Sequence, residues 1–384
     1  MRARPRRRSR APAPKGKKVR RPPAAVDLFS GCGGLTSGLS AAGFRVIAAV
    51  EKDPDAAATY TANHPEVRLY REDIRDVSAA KLRRALKLRR RRRLDLIAGC
   101  PPCQGFTRLT ESDGHRDPRN RLVREFLRLV VELKPRACML ENVPGLLTRG
   151  KRYFAELREG LEAAGYRTTY RVVELADYGV PQFRKRLVLF GARSGSIPIP
   201  SPTHGNPNVR HKPSRRPWKT VRNAIATMPT PPLRSKLQSR RAKLRYRWHY
   251  ARDVEPIVKR RLEHAIKTGR GRAALPASLR LACHERRPDG YFDVYGAMGW
   301  DAPSPTITGG CTNASKGRFG HPRAPRPITA TEAALLQTFP RSYKFKGSGL
   351  ESVAHQIGNA LPRRFAKVVG KAVFRRLRSR SLVS

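Results

Sequence analysis

Short apolar runs alternate with amphipathic stretches along the first half of the chain. Ala24-Ala-Val-Asp-Leu-Phe29, Arg45-Val-Ile-Ala-Ala-Val50, Leu94-Asp-Leu-Ile-Ala98 and Arg136-Ala-Cys-Met-Leu140 each read as a buried strand. Between them, Leu35 to Ala42 (closed by Gly43) and Leu122 to Leu133 carry apolar residues at helical spacing. A helix over Tyr153 to Ala164 leads to a β-rich run, Thr168 to Leu175, and then to a strand, Leu187-Val-Leu-Phe-Gly191. This alternation predicts an α/β fold with a Rossmann-like sheet. From Ser194 to about Asp301 the periodicity weakens, and Pro, Arg, Lys, His, Trp218 and Trp248 are scattered. Regular patterning returns in a helix over Glu332 to Thr338, capped by Thr329 or Thr331, and in an amphipathic helix from Arg363 to Leu377.

The polar residues that break this pattern gather after the strands. Ser30-Gly-Cys-Gly-Gly34 is a glycine-rich turn, as at the opening of a Rossmann-like unit. Its spacing differs from G-x-G-x-x-G, and no Walker Lys-Ser/Thr pair follows, so it suits a cofactor without a pyrophosphate. Glu51 ends the second strand, where ribose hydroxyls are gripped in such folds. In the third element, which ends Glu72-Asp-Ile-Arg-Asp76, Asp73 is placed to accept from an adenine amino group and Ile74 to flank the ring. The fourth strand runs into Gly99-Cys-Pro-Pro-Cys-Gln-Gly-Phe-Thr107. Pro101 and Pro102 stiffen this exit, which delivers the Cys103 thiol at a defined point beyond the sheet. Three readings of Cys103 stand side by side: a dithiol or half a metal site with Cys100, a buried inert thiol, or a lone nucleophile. Gly105 to Asn120 is a polar loop long enough to act as a lid. The fifth strand ends in Glu141-Asn-Val-Pro144. Farther on, Arg184 and Arg186 alternate onto one side of an extended segment, where two guanidiniums can grip phosphate or a base carbonyl. Any one of these residues has an ordinary surface reading. Five placements in register along one sheet edge argue for a built site.

Composition sets the partner. The 384-residue chain carries 81 Lys+Arg against 29 Asp+Glu, a formal net charge of +52. A surface this basic favours a polyanion, and nucleic acid is the default. Residues 1–23 form a basic arm without an acid, expected to be disordered and to touch phosphates. The 6 cysteines are too few for a disulfide framework, which fits a reducing compartment. No long apolar run suggests a membrane span or signal peptide, and no metal-ligating set is read. The expected organisation is the arm at 1–23, a catalytic and cofactor-binding domain at 24–192, a smaller domain at 193–322, and a segment at 323–384 that returns to the catalytic domain.

The motifs together resemble the C5-cytosine DNA methyltransferase family, of the bacterial kind, over roughly Val26 to Val373. The resemblance rests on Asp27-Leu-Phe-Ser-Gly-Cys-Gly-Gly34, Glu51, Glu72-Asp-Ile74, the Pro-Cys-Gln motif around Cys103, Glu141-Asn-Val-Pro144, Gln182-x-Arg184-x-Arg186 and Gln356-x-Gly-Asn-Ala-Leu-Pro362, in the family's order. It implies S-adenosyl-L-methionine as cofactor, with Phe29 on the adenine and Gly31, Gly33 and Gly34 against the methionine part. It places Glu51 on the ribose and Asp73 on the adenine amine beside Ile74, with Pro101 and Asn359 completing the pocket. It implies that Cys103 attacks carbon 6 of a flipped-out cytosine and Cys100 merely lines the site. Glu141 would engage the amino group and ring nitrogen N3. Arg186 would hold the base oxygen O2 or its phosphate, with Arg184 supporting the loop. Residues 193–322 become the target-recognition domain. Relatives carry arginines where this chain has Thr331 and Leu335, positions that help to orient the small domain. Duplex DNA is the implied substrate, a cognate restriction endonuclease a candidate partner, and a monomer in the bacterial cytoplasm, at the nucleoid, the expected state. An RNA cytosine-5 methyltransferase of the same fold and a catalytically silent DNA-binding relative are the alternatives.

Overall fold

The computed structural model describes residues 21–85, 94–102, 118–209, 215–237, 246–286 and 292–379. Five parallel strands carry the pattern read above: β1 (Ala24–Leu28), β2 (Arg45–Val50), β3 (Arg68–Tyr70), β4 (Leu96–Gly99) and β5 (Ala137–Asn142). Two more, β6 (Arg167–Glu174) and β7 (Lys185–Ala192), complete a seven-stranded sheet of order β3-β2-β1-β4-β5-β7-β6. β7 runs antiparallel to both β5 and β6. Because β1 to β5 are parallel, their carboxyl ends share one edge, and the strand order reverses between β1 and β4. Such a reversal opens the crevice in which open α/β sheets bind ligands.

Helices cover both faces. They are α1 (Gly34–Ala42), α2 (Pro54–Asn63), α3 (Ala79–Ala85), α4 (Leu122–Leu133) and α5 (Lys151–Ala163). α4 buries Leu122, Val123, Phe126, Leu129, Val130 and Leu133, one stripe at helical spacing, against the face that carries Val26, Leu28 and Ile97. Each such side chain contributes about 1.5–3 kcal/mol through burial. The opposite face packs against Leu35 and Leu39 of α1, Tyr60 of α2 and the chain's last helix.

Beyond the sheet lie β8 (His204–Gly205) and β9 (Arg216–Pro217), then α6 (Val221–Ile225), α7 (Pro256–Thr268) and α8 (Ala282–Arg286). α9 (Ala330–Leu336), α10 (Leu350–Asn359) and α11 (Arg363–Ser379) end the chain. Val221 and Ile225 of α6 share a third core with α9 and α10. α11 lies directly on α1: a Cβ at Gly38 would come within 2.3 Å of the Ala366 Cβ. The last helix is thereby fastened to the first, and the C-terminal segment reaches the sheet edge.

Several boundaries differ from the sequence reading for identifiable reasons. β5 extends through Glu141 and Asn142 because β7 pairs with both, Glu141 opposite Val188 and Asn142 opposite Leu187. The third element is a short strand followed by a 3-10 turn, Ile74–Asp76. Of the two candidate caps for α9, Thr329 does the capping, in a reciprocal box with Glu332. Among the described residues no helix is long and apolar enough to cross a membrane.

Candidate active site at the carboxyl edge of the sheet

The glycine-rich turn leaves β1 through an unusual backbone. Phe29 has φ 58 and Gly31 φ 52, both left-handed. Glycine tolerates that conformation, and among the described residues nothing lies within 4 Å of where a Gly31 Cβ would sit, so this face of the turn is open to them. Gly33, at φ 93, is crowded instead: a Cβ there would lie 2.7 Å from the Tyr343 hydroxyl. Tyr343 donates to the Cys32 carbonyl at 2.6 Å, so the C-terminal segment buttresses the turn.

Glu51, at the end of β2, fixes the turn from the other side. Its carboxylate accepts the Gly31 N–H at 2.8 Å and the Asp53 N–H at 2.8 Å. Burial pushes its pKa up, against the pull of those amides. Asp73 caps the turn Ile74–Asp76. It accepts from the Arg75 guanidinium at 2.9 and 2.8 Å and from Lys52 at 3.2 Å. The Arg75 hydrogen bonds hold its carboxyl well below the usual range. An incoming amino group must therefore share Asp73 with two cations. Ile74 is buried, and Phe29 packs half-buried on the same apolar cluster. Pro101 is buried, its carbonyl accepting from Asn142 at 3.2 Å. Asn359 ends α10, exposed, with its amide 3.1 Å from the His355 ring.

Beneath the turn lies a group that sequence reasoning left without a role. Asp27 of β1 is fully buried and accepts the Thr36 hydroxyl at 2.6 Å. That hydroxyl is 2.8 Å from the Tyr60 hydroxyl. The other Asp27 oxygen, Oδ1, has no partner among the described residues. Burial raises the Asp27 pKa to about 7. An open glycine face, a strand-end carboxylate, an apolar wall and an unpartnered buried carboxylate oxygen together fit an adenosyl group that also carries a cation.

The other half of the edge is built by β5 and β7. Their antiparallel register sets Arg186 beside Glu141, with an ion pair of 2.9 Å and side chains only 12% and 9% exposed. The Cys100 thiol, at the exit of β4, lies close enough to the Glu141 carboxylate to feel its charge. Burial, then the Glu141 charge, drives the Cys100 pKa far up, so this sulfur stays a thiol and lines the site. Arg184 is buried and faces elsewhere. Its guanidinium donates to the carbonyls of Ile307 at 2.9 Å and Gly358 at 3.0 Å. The two arginines that share a side in the sequence pattern thus serve different ends: Arg186 faces the carboxylate, while Arg184 clamps the 300s loop to α10. Cys103, and residues 103–117 of the loop read as a lid, lie outside the described residues.

A strand-end site with a glycine turn on one side and a buried acid–guanidinium pair on the other defines an α/β group-transfer enzyme. The comparisons narrow that class. The family model for C-5 cytosine-specific DNA methylase matches residues 24–375, and the chain belongs to that family. It is 37% identical to the type II methylase M.HgiDII of Herpetosiphon aurantiacus over 358 residues, 92% of this chain and 95% of that one. It is 32% identical to the type II methyltransferase M.XorII of Xanthomonas oryzae pv. oryzae, covering 93% and 86%. In fold it matches a prophage-encoded DNA modification methyltransferase (E. coli) with a TM-score of 0.63 at 24% identity, covering 92% of this chain and 98% of that one.

Proposed function

We propose that this methyltransferase moves a methyl group from S-adenosyl-L-methionine to carbon 5 of a cytosine flipped out of duplex DNA, through a transient bond to Cys103. The observation that carries the reading is the Glu141–Arg186 pair, buried at the same edge as the open glycine turn. Carbon 5 of cytosine is a weak nucleophile until sulfur adds at carbon 6. Cys103 supplies that sulfur as thiolate. Glu141 hydrogen-bonds the base amino group and holds a proton at N3, which makes carbon 6 receptive. Arg186, already oriented by Glu141, takes the base oxygen O2 or its phosphate. Arg184 acts through the loop it clamps. Bound S-adenosyl-L-methionine supplies an electrophilic methyl group and leaves as S-adenosyl-L-homocysteine; a water then takes the carbon-5 proton, and the electrons of that C–H bond expel the Cys103 thiolate from carbon 6. Phe29 and Ile74 flank the donor's adenine, Glu51 accepts from its ribose, Asp73 accepts from its amino group, and Gly31 lets its methionine part approach the backbone, whereas Gly33 and Gly34 make room for Tyr343 and the Leu361 carbonyl rather than for the donor. Pro101 and Asn359 close the pocket. Flipping the base costs a few kcal/mol, which contacts to the extruded base offset.

Residues 193–322 recognise the target sequence in this reading, and the basic arm at 1–23 adds phosphate contacts whose strength falls with salt. The type II names of the relatives support a role in modification beside a cognate restriction endonuclease. The enzyme works as a monomer in the bacterial cytoplasm, at the nucleoid. The test is a duplex with 5-fluorocytosine at the target site, incubated with the donor. The expected result is a covalent complex that survives denaturation and is absent in Cys103→Ala, which still binds DNA. Methyl transfer by Cys103→Ala at the wild-type rate would overturn the mechanism. Preferential transfer to structured RNA would overturn the substrate.

A further inference from the structure

Behind the glycine-rich turn, with Tyr343 as a shared wall, a cavity of about 290 Å³ opens between α9, the loop that follows it, and the segment around Trp248. Its walls combine aromatic rings with cations. The Trp248 indole is pinned by its N–H, which donates to the Phe345 carbonyl at 2.9 Å, and the Arg247 guanidinium lies 5.6 Å over the ring. Lys344 and Lys346 line the same space and are exposed. Among the described residues no acidic side chain lines it and no salt bridge engages Arg247, Lys344 or Lys346. Thr331 and Leu335 of α9, both half-buried, stand at its wall.

Aromatic walls beside cations that no described salt bridge engages suit a ligand with a flat ring and a phosphate. A purely apolar ligand would leave the cations unanswered. A bare phosphate would leave the rings uncovered. We infer that this cavity is a second nucleotide site, which takes one phosphorylated nucleoside unit, its base against Trp248 and its phosphate on Arg247, Lys344 and Lys346. It is separate from the Glu141–Arg186 pair. The unit comes either from the bound DNA strand or from a free nucleotide, and the chemistry of the site is the same for both.

The probe is thymidine 5′-monophosphate, titrated by calorimetry into the full chain with S-adenosylhomocysteine saturating the donor site. Wild type is expected to bind one equivalent. Leu335→Arg fills the cavity while adding a positive charge, so it separates shape from electrostatics. It should weaken binding by about tenfold or more if the cavity is the site. Lys344→Gln with Lys346→Gln should weaken binding about tenfold and flatten its salt dependence. Displacement of a DNA duplex by the probe in wild type, but not in Leu335→Arg, would assign the site to a nucleotide of the DNA. Binding without displacement would assign it to a free nucleotide. Absence of saturable binding in wild type, or equal or tighter binding by Leu335→Arg, would overturn the inference. Neither result bears on the Cys103 mechanism, which the fluorocytosine duplex tests separately.

Discussion

The two halves of the sheet edge are built in opposite ways. On the β1–β3 side, turns do the positioning: Glu51 is gripped by backbone amides, and the turn takes left-handed φ values at Phe29 and Gly31. On the β5–β7 side, Glu141 and Arg186 sit within paired strands, and the ladder itself brings acid to guanidinium. The first half has an open face that can adjust to an adenosyl group. The second is rigid and pre-oriented, as electrostatic stabilisation of a reacting ring requires. Adaptability lies where the cofactor would bind, and rigidity where chemistry would occur.

The largest expected effect tests the rigid half. Glu141→Gln keeps size and strand pairing but removes the charge that orients Arg186 and that, in the proposed mechanism, steadies a protonated N3. Methyl transfer should fall by roughly 10²–10⁴, with S-adenosylhomocysteine affinity unchanged. A parallel loss of that affinity would show that the two halves are not separable.

Next comes the arginine that only resembles its neighbour. Arg184 is buried on the carbonyls of Ile307 and Gly358. Arg184→Met leaves those carbonyls without a donor and should cost on the order of 3 kcal/mol of stability, read by denaturant unfolding. Arg186→Met should cost activity far more than stability. The reverse pattern would exchange their roles.

These two arginines also mark how far the sequence could be read. The strands and the residues at their ends were legible, because apolar runs and the acids after them are local features; the order of the strands in the sheet was not. The turn after β1 was legible as glycine-rich, yet the left-handed Phe29 was not, since no local rule asks an aromatic residue to adopt it. The spacing of Arg184 and Arg186 put both on one side. What separates them is a partner more than a hundred residues away in one case and a neighbouring strand in the other. Cys100 was read as a lining residue only through the family resemblance. Its contact with Glu141 depends on β4 lying beside β5, a fact of topology. Asp27 was visible only as a motif letter, because its meaning comes from complete burial.

Asp27 gives the adjustable half a pH signature. Its pKa rises from 3.8 to about 7 on folding, with burial the main cause. Between those values the native chain holds a proton that the unfolded chain has released. Stability therefore falls as pH rises through that window and levels off above it. The slope corresponds to about 2 kcal/mol over the upper two pH units, measured as the difference between wild type and Asp27→Asn. A bound donor that places a positive charge near the unpartnered Oδ1 should lower this pKa and flatten the slope. If donor and no-donor curves coincide, Oδ1 does not face the cofactor.

The smallest effect separates two acids on the same side of the edge. Glu51 is half-buried and gripped by backbone amides, and Asp73 is held by Arg75 and Lys52 near the surface. Glu51→Gln should weaken donor binding by about tenfold, and wild-type affinity should fall as pH drops through the raised Glu51 pKa, which lies above 4.5. Asp73→Asn should matter less, because its carboxylate already serves two cations and loses part of its strength as an acceptor. A threefold loss, about 0.7 kcal/mol, is the expected size. Its stability should barely change, since exposed ion pairs contribute little. Adding salt should then distinguish the variants. Screening loosens Lys52 and Arg75 from Asp73, frees its carboxylate as an acceptor and widens the gap in donor affinity between wild type and Asp73→Asn, while the Glu51→Gln difference, set by backbone amides, holds steady. If instead Asp73→Asn equals Glu51→Gln at every salt concentration, the adenine end is as rigid as the base end, and the contrast between the two halves is lost.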